Sequence, residues 1–425
     1  MAVKVASNVW TGCGVSLLAL MVAACSGTPA VTPLAPRVTA SPTIATPTPS
    51  PKPSQSQAPS PTPTPTSSSV ACGTGAVPAS GALLYALGQA SSTTEALSVD
   101  AGDFSGSSTA GYALSGSQLT GTPGGDEQFV SAVALGTGGN IYVGNSPIDG
   151  TGQVQVYPPS VGCSGPAATL VGSNTGLQSA QSVVVDSAGY IYVANAGATS
   201  IYSQQYGEEG CPFNTIEMFA PISSGMNNVA PVASIPDPAP EPACSQEVEP
   251  DTMSLALDAS GRIYATSYTT NDVYVFAARS GSSLNATPIA TFEGGVGSTT
   301  GIVEPRGIAV DASGKIYVSM SLYGQTPNQG GTPAVAVYAA NPQGTMTSGP
   351  ITAVTGSQTM HAIGSVAVDR NGEIYVVASY NSQQSVLEFP PIAQGSSTEA
   401  PAGTLTATAL FGASSTVAPV ALAAH

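Results

Sequence analysis

The chain has 425 residues, a formal charge of −16 and only 8% charged residues, against about a quarter in an ordinary globular domain. All 24 acids lie at or after Glu95, where only five bases follow (Arg262, Arg279, Arg306, Lys315 and Arg370), so that stretch carries 5 − 24 = −19. Nucleic acid is excluded as a partner, because its binding needs a Lys/Arg footprint, and the polar surface must come from Ser, Thr, Gly, Asn and Gln, which favour strands and tight turns over helices.

Taken in chain order, Lys4 supplies a positive flank and Val15–Ala24 an apolar run. The run is too short to span a bilayer, which takes roughly 20 apolar residues, and reads as an export signal over residues 1–24. It ends in Val22-Ala23-Ala24-Cys25, which resembles the bacterial lipobox. The resemblance implies cleavage before Cys25 and lipidation of that residue. The partner is then the membrane, and the location the cell envelope. Because Ser26 rather than Asp follows the Cys, the family rule favours the outer membrane in a Gram-negative host; otherwise the anchor lies on the outer face of the cytoplasmic membrane.

Residues 25–70 form a Pro/Ser/Thr-rich linker, with 12 Pro among the 44 residues of Gly27–Val70. Such a tract cannot bury enough apolar surface to offset chain entropy and is expected to be a disordered stalk. Four further Cys follow: Cys72, Cys163, Cys211 and Cys244. An even number in an exported chain suggests disulfides. Cys211 and Cys244 flank one long insertion and form the first pair, which leaves Cys72 with Cys163. No Cys-x-x-Cys spacing points to a metal.

From residue 71 onward one phrase recurs five times: Gly139-Asn140-Ile141-Tyr142, Gly189-Tyr190-Ile191-Tyr192, Gly261-Arg262-Ile263-Tyr264, Gly314-Lys315-Ile316-Tyr317 and Gly372-Glu373-Ile374-Tyr375. Repetition on this scale signals a repeat architecture. Each copy follows a short apolar strand, and in four of them an Asp begins the intervening turn: Asp186, Asp258, Asp311 and Asp369. A third strand ending in an aromatic comes next (Tyr157, Phe219, Phe276, Tyr338, Phe389), and then a weaker outer strand such as Ile289–Phe292. Four short strands per unit make a propeller blade. The Asp is expected to cap its turn by accepting backbone N–H bonds, and the Tyr to pack its ring and send its hydroxyl to a polar edge.

The pattern resembles the NHL repeat. Pro305-Arg306-Gly307-Ile308-Ala309-Val310-Asp311, continued by Gly314-Lys315-Ile316-Tyr317-Val318, matches that consensus almost throughout. The chain departs from it at Gly136, which stands where the Asp would be, and where Asn or Met rather than Asp follows Ala194 or Ser319. Upstream, Leu84-Tyr85 looks like a degenerate sixth copy. Its missing first strand is expected from the tail, Ala418–Leu422, aligned with Arg306–Val310. This resembles the closure in which a propeller's last strand completes its first blade. The reading is an all-β, six-bladed, NHL-like propeller over residues 71–425.

Propeller ligands bind at the channel mouth, where loops enter the innermost strands. There the sequence places Glu127, Gln181, Asp251, Glu304, Arg306 and His361 as a ligand site, beside Asp126, Gln128, Glu249 and Thr252. Only His361 and His425 exist, so a three-His zinc site of the peptide-amidating-lyase kind is excluded. Gluconolactonase-type propellers bind a divalent ion through carboxylates and Asn, and Glu127, Glu249, Asp251 and Glu304 could imitate that set. Ca²⁺ is the one ion these acids suggest; no cofactor is otherwise called for. The leading reading is a monomeric, non-enzymatic binding or scaffolding module for an envelope protein or glycan. The alternative is an envelope hydrolase or lyase using a carboxylate-bound cation at the mouth.

Overall fold

A computed structural model describes residues 84–91, 94–100, 112–115, 128–147, 152–158, 165–198, 212–236, 253–325, 330–355, 360–380, 383–392, 401–406, 410 and 418–424. The signal, Cys25, the stalk and all four remaining Cys lie outside these residues, as do Glu127, Glu249 and Asp251.

The described elements are almost all strands. Blade 1 holds β4 (Gln128–Leu135), β5 (Ile141–Pro147), β6 (Gln153–Tyr157) and β7 (Ala168–Leu170). Blade 2 holds β8 (Ser179–Val185), β9 (Ile191–Ala198), β10 (Pro212–Phe219) and β12 (Ala233–Pro236). Blade 3 holds β13 (Leu255–Leu257), β14 (Ile263–Ser267), β15 (Asp272–Phe276) and β16 (Ala290–Phe292). Blade 4 holds β17 (Pro305–Val310), β18 (Ile316–Tyr323), β19 (Thr332–Tyr338) and β21 (Thr352–Thr355). Blade 5 holds β22 (Met360–Val368), β23 (Ile374–Tyr380), β24 (Gln383–Phe389) and β25 (Gly403–Thr406). These five are antiparallel meanders of consecutive chain, the propeller arrangement.

A further sheet joins the two ends of the described chain. Its strands are β1 (Leu84–Ser91), β2 (Thr94–Asp100), β3 (Tyr112–Ser115) and β26 (Ala418–Ala424), in the order β26-β1-β2-β3. The tail therefore pairs with the Leu84-Tyr85 strand, as expected, but its register is a correction. Leu84 pairs with Ala424 and Tyr85 with Ala423, whereas Ile316 pairs with Val310 and Tyr317 with Ala309. Ala424, not Leu422, thus stands where Val310 does, two residues along from the sequence alignment. A two-residue slip keeps every side chain on its face, so alternation alone cannot distinguish the two registers. Burial decides: Leu422 takes the place of Ile308, packed with Leu84, Ala367 and Tyr375.

The innermost strands β4, β8, β13, β17, β22 and β26 neighbour one another in that order, and β26 returns to β4. They close a ring. The core lies between sheets rather than within one. Tyr192, Ile216 and Met218 of blade 2 pack on Leu255, Ile263 and Phe276 of blade 3, and the other blade junctions repeat the arrangement. The repeat Ile is fully buried in all five blades, and the third-strand aromatics are buried to 2% exposure or less, each worth roughly 1.5–3 kcal/mol of transfer free energy. Side chains alternate across a strand, so the face of blade 1 turned away from blade 2 carries Asn145, Gln155 and Tyr157. Both Asn145 and the Tyr157 hydroxyl donate to the Gln155 amide oxygen.

Two edge strands cross between blades. β11 (Gly225–Asn227), from the β10–β12 connection, pairs parallel with β7 of blade 1. β20 (Gly344–Met346), from the β19–β21 connection, pairs parallel with β16 of blade 3. Each covers its neighbour's outer edge, where unpaired N–H and C=O groups would otherwise invite association.

The repeated turns do what their chemistry dictates. Asp311 Oδ1 accepts the N–H groups of Ser313 (2.8 Å) and Lys315 (2.9 Å), and Tyr317 donates its hydroxyl to Oδ2 at 3.0 Å. Asp186 and Asp258 repeat all three bonds. Asp369 keeps the backbone pair, but Asn371 occupies its second oxygen and Tyr375 turns to Glu373. The turn closes through a glycine in the left-handed region, with φ between 81° and 85° at Gly139, Gly189, Gly261, Gly314 and Gly372, a conformation only glycine adopts without strain.

Candidate functional site

The innermost strands β8, β13, β17 and β22 run from the channel mouth to their Asp-to-Gly turns, and β4 to the turn that begins at Gly136. In β4, β8, β17 and β22 one residue near the mouth end is extra. Val130 and Ala132 pair with the adjacent Asn145 and Gly144, so Ser131 is bulged out. Gln181 is bulged in the same way in β8, and Arg306 in β17. In β22, Gly364 and Ser365 stand against Val377 alone. Bulges re-aim side chains and gather beside binding sites. Here they turn Ser131, Gln181 and Arg306 onto the wall of a cavity of about 690 Å³.

Gln181, Arg306 and His361 lie inside strands rather than in the loops the sequence suggested. Gln181 is half-buried, and its amide oxygen accepts the N–H of Met253 at 3.0 Å. Next to it, Ser182 Oγ accepts the N–H of Leu255 at 3.0 Å. Across the ring, Ser365 Oγ accepts the N–H of Leu422 at 3.2 Å. These bonds stitch β8 to β13 and β22 to β26. His361 pairs through its backbone with Ser379; its side chain lies outside the described residues.

Arg306 is the one charged side chain on the described wall. Its guanidinium carbon sits 4.2 Å from the centre of the Tyr268 ring. Nε approaches Ser321 Oγ at 3.5 Å, and Nη2 lies 3.9 Å from Glu304 Oε2. That last distance is an ion pair and too long for a hydrogen bond. Glu304 is itself fixed: its backbone has φ 52°, and its N–H donates to Asn271 Oδ1 at 2.7 Å. Tyr268 and Asn271 belong to the turn after β14, so blade 3 presents the ring on which blade 4 lays its arginine.

The structure thus brings Glu304 and Arg306 together and puts Gln181 on the same cavity wall. Glu127 and Asp251 fall outside the described residues, and so does the test of the carboxylate cation site. Among the described residues no three His, Cys, Asp or Glu side chains come together as metal ligands. Tyr268 is the residue sequence reading missed. The signal was present: aligned on the Ile-Tyr phrase, the blades carry Ser146, Ala196, Tyr268, Ser321 and Ser379 at this position, one aromatic among small residues. The facing bulge column reads Ser131, Gln181, Met253, Arg306 and Gly364. The odd residue of each column meets the other.

The chain matches no protein-family model and no curated protein. Among solved structures it is similar to a protein of unknown function from Bacteroides caccae, with 10% identity over 81% of this chain and 99% of that one and a TM-score of 0.47. It is also similar to the PQQ-bound aldose sugar dehydrogenase of Streptomyces coelicolor (11% identity, 67% and 82% of the two chains, TM-score 0.40). A third match is a gluconolactonase of Xanthomonas campestris (13% identity, 67% and 79%, TM-score 0.32).

Proposed function

We propose that this protein is a lipid-anchored propeller of the cell envelope whose channel mouth binds a ligand, a protein or a glycan, without turning it over. One observation carries the reading of the mouth: a bulged Arg306 stacked on Tyr268 of the preceding blade, at a cavity of about 690 Å³. That volume lies within the roughly 300–1,000 Å³ of small-molecule sites. In this reading the sheet β26-β1-β2-β3 is the sixth blade of an NHL-like ring. Cys25 carries the lipid, and residues 25–70 are the stalk holding the domain off the membrane.

The test is a thermal-shift screen of glycans and envelope metabolites on the wild type and on Tyr268→Ala. A ligand that binds only the folded state raises the melting temperature. At least one compound is expected to stabilise the wild type and not the variant. If every stabilising compound acts equally on both proteins, the mouth is not the site. Fractionation of cells carrying Cys25→Ala tests the anchor, and a variant that stays with the membrane would exclude it.

A further inference from the structure

Three polar side chains of the cavity wall share one hydrogen-bonding sense, whereas Ser131 has the opposite one and donates its hydroxyl to Ala180 O. Gln181 and Ser182 use their oxygens to accept N–H groups of β13, and Ser365 uses its oxygen to accept Leu422 N–H of β26. Spent in this way, Gln181 keeps its amide N–H₂, and Ser182 and Ser365 keep their O–H donors. Arg306 adds guanidinium N–H groups that reach Ser321 only at 3.5 Å and Glu304 only at 3.9 Å. Among the described residues lining the cavity none is Asp or Glu. The described part of the wall therefore carries one positive charge and surplus donors.

From this we propose that the mouth selects a small organic carboxylate with a hydroxylated body, the carboxylate taken by Arg306 and the body by the Gln181, Ser182 and Ser365 donors. The proposal rests on the reading of the mouth as the binding site and names its ligand class. Arginine offers paired N–H groups that match a carboxylate fork. The Tyr268 ring lies against the guanidinium carbon, so less side-chain freedom remains to be lost on binding. Glu304 lies near enough to keep Arg306 in place, yet makes no hydrogen bond that an incoming carboxylate would have to displace. Glu304 offsets part of the charge of Arg306, so the preference for a carboxylate rests on the geometry of the guanidinium fork.

Isothermal titration of the full chain with glucuronate, and with glucose as the neutral isostere, tests this directly. Glucuronate is expected to bind at least tenfold more tightly than glucose. Arg306→Gln should weaken glucuronate at least tenfold, and Arg306→Lys should recover only part of the loss, because a point charge does not reproduce the fork. Circular dichroism of both variants checks folding, and Arg306→Lys keeps the test standing should Arg306→Gln fail to fold. Equal binding of acid and sugar, an undiminished Arg306→Gln, or no saturation by glucuronate up to about 10 mM would overturn the carboxylate assignment. In that event the wider reading survives if another compound's thermal shift still depends on Tyr268, and falls if none does.

Discussion

Arg279 reaches from blade 3 to the turn of blade 2, where its Nε lies 2.5 Å from Asp186 Oδ2 and its guanidinium lies 3.9 Å from the centre of the Tyr190 ring. Asp186 therefore serves two structures at once, its own turn and the seam to the next blade. Asn at this position keeps an oxygen for the two turn N–H groups and loses the charge. Asp186→Asn should cost about 1 kcal/mol or less, the range of a partly exposed pair. Asp186→Ala leaves the N–H groups of Ala188 and Tyr190 without their acceptor and should cost about 1–3 kcal/mol. Among the described residues no Arg or Lys forms an ion pair with Asp311, so Asp311→Asn should cost less than Asp186→Asn. Chemical denaturation of the three variants checks the order.

Alkali should unfold this protein through its tyrosines. Burial raises the phenols of Tyr192, Tyr264, Tyr317 and Tyr375 well above the ordinary value of 10, and the neighbouring carboxylates Asp186, Asp258, Asp311 and Asp369 raise them further. A phenol whose folded pKa exceeds its unfolded value holds its proton more tightly in the folded state. Its contribution to stability is complete below pH 10 and is lost as pH climbs from there toward the folded value. Stability should therefore fall steeply above pH 10, with tyrosinate absorbance rising together with unfolding rather than before it. Tyr317→Phe should flatten that fall, and an unchanged alkaline limb would refute the assignment.

The fold was legible because its determinants are local and repeated. Ile-Tyr alternation and the Asp-to-Gly turn recur in blade after blade, so a weak signal in one copy is confirmed by the next. The closure was legible in kind, since a lone apolar strand at Ala418 and a blade lacking its first strand at Leu84 imply each other. Its register was not, because a two-residue slip preserves alternation. The parallel strands β11 and β20 were hidden for a different reason. Gly225–Asn227 and Gly344–Met346 carry no alternating apolar pattern, their side chains being largely exposed, and their order comes from backbone bonds to a neighbour. At the site, Arg306 stood out by charge. Tyr268 did not, because its meaning depends on a partner 38 positions away, in the next blade.

Blade 1 offers a test of how the repeat tolerates its own consensus. Gly136 closes the same turn as the Asp residues, its N–H donating to Asn140 O at 2.8 Å. A Cβ built on it would stand 2.6 Å from Tyr142 Cε2, so the buried Tyr142 ring has moved into the space an Asp would fill. Gly136→Ala adds that clash with nothing in return and should destabilise by about 1–3 kcal/mol, the range of overpacking. Gly136→Asp meets the same clash, but its carboxylate can accept the turn N–H groups and the Tyr142 hydroxyl as its counterparts do. The Asp variant should be the more stable of the two by about 1 kcal/mol. Urea midpoints of the pair decide it, and an Ala variant at least as stable as the Asp one would mean that Tyr142 cannot return to the common position.

The closing strand makes the strongest demand on stability. Leu422 is 6% exposed and packs against Leu84, Ala367 and Tyr375, while its N–H is held by Ser365 of the neighbouring blade. Leu422→Ala should cost about 2–5 kcal/mol, as for other buried leucines. Removal of residues 418–425 takes away all of β26 and bares the β1 edge along its length, which should both destabilise the ring and promote association through the exposed strand. Size-exclusion chromatography of the truncated chain should show oligomers that are absent from the wild type. Adding a peptide spanning Ala418–Ala424 in excess should restore the monomer, because it re-pairs that edge. A truncated protein that stays monomeric and melts like the wild type would show that β26 does not hold the ring closed.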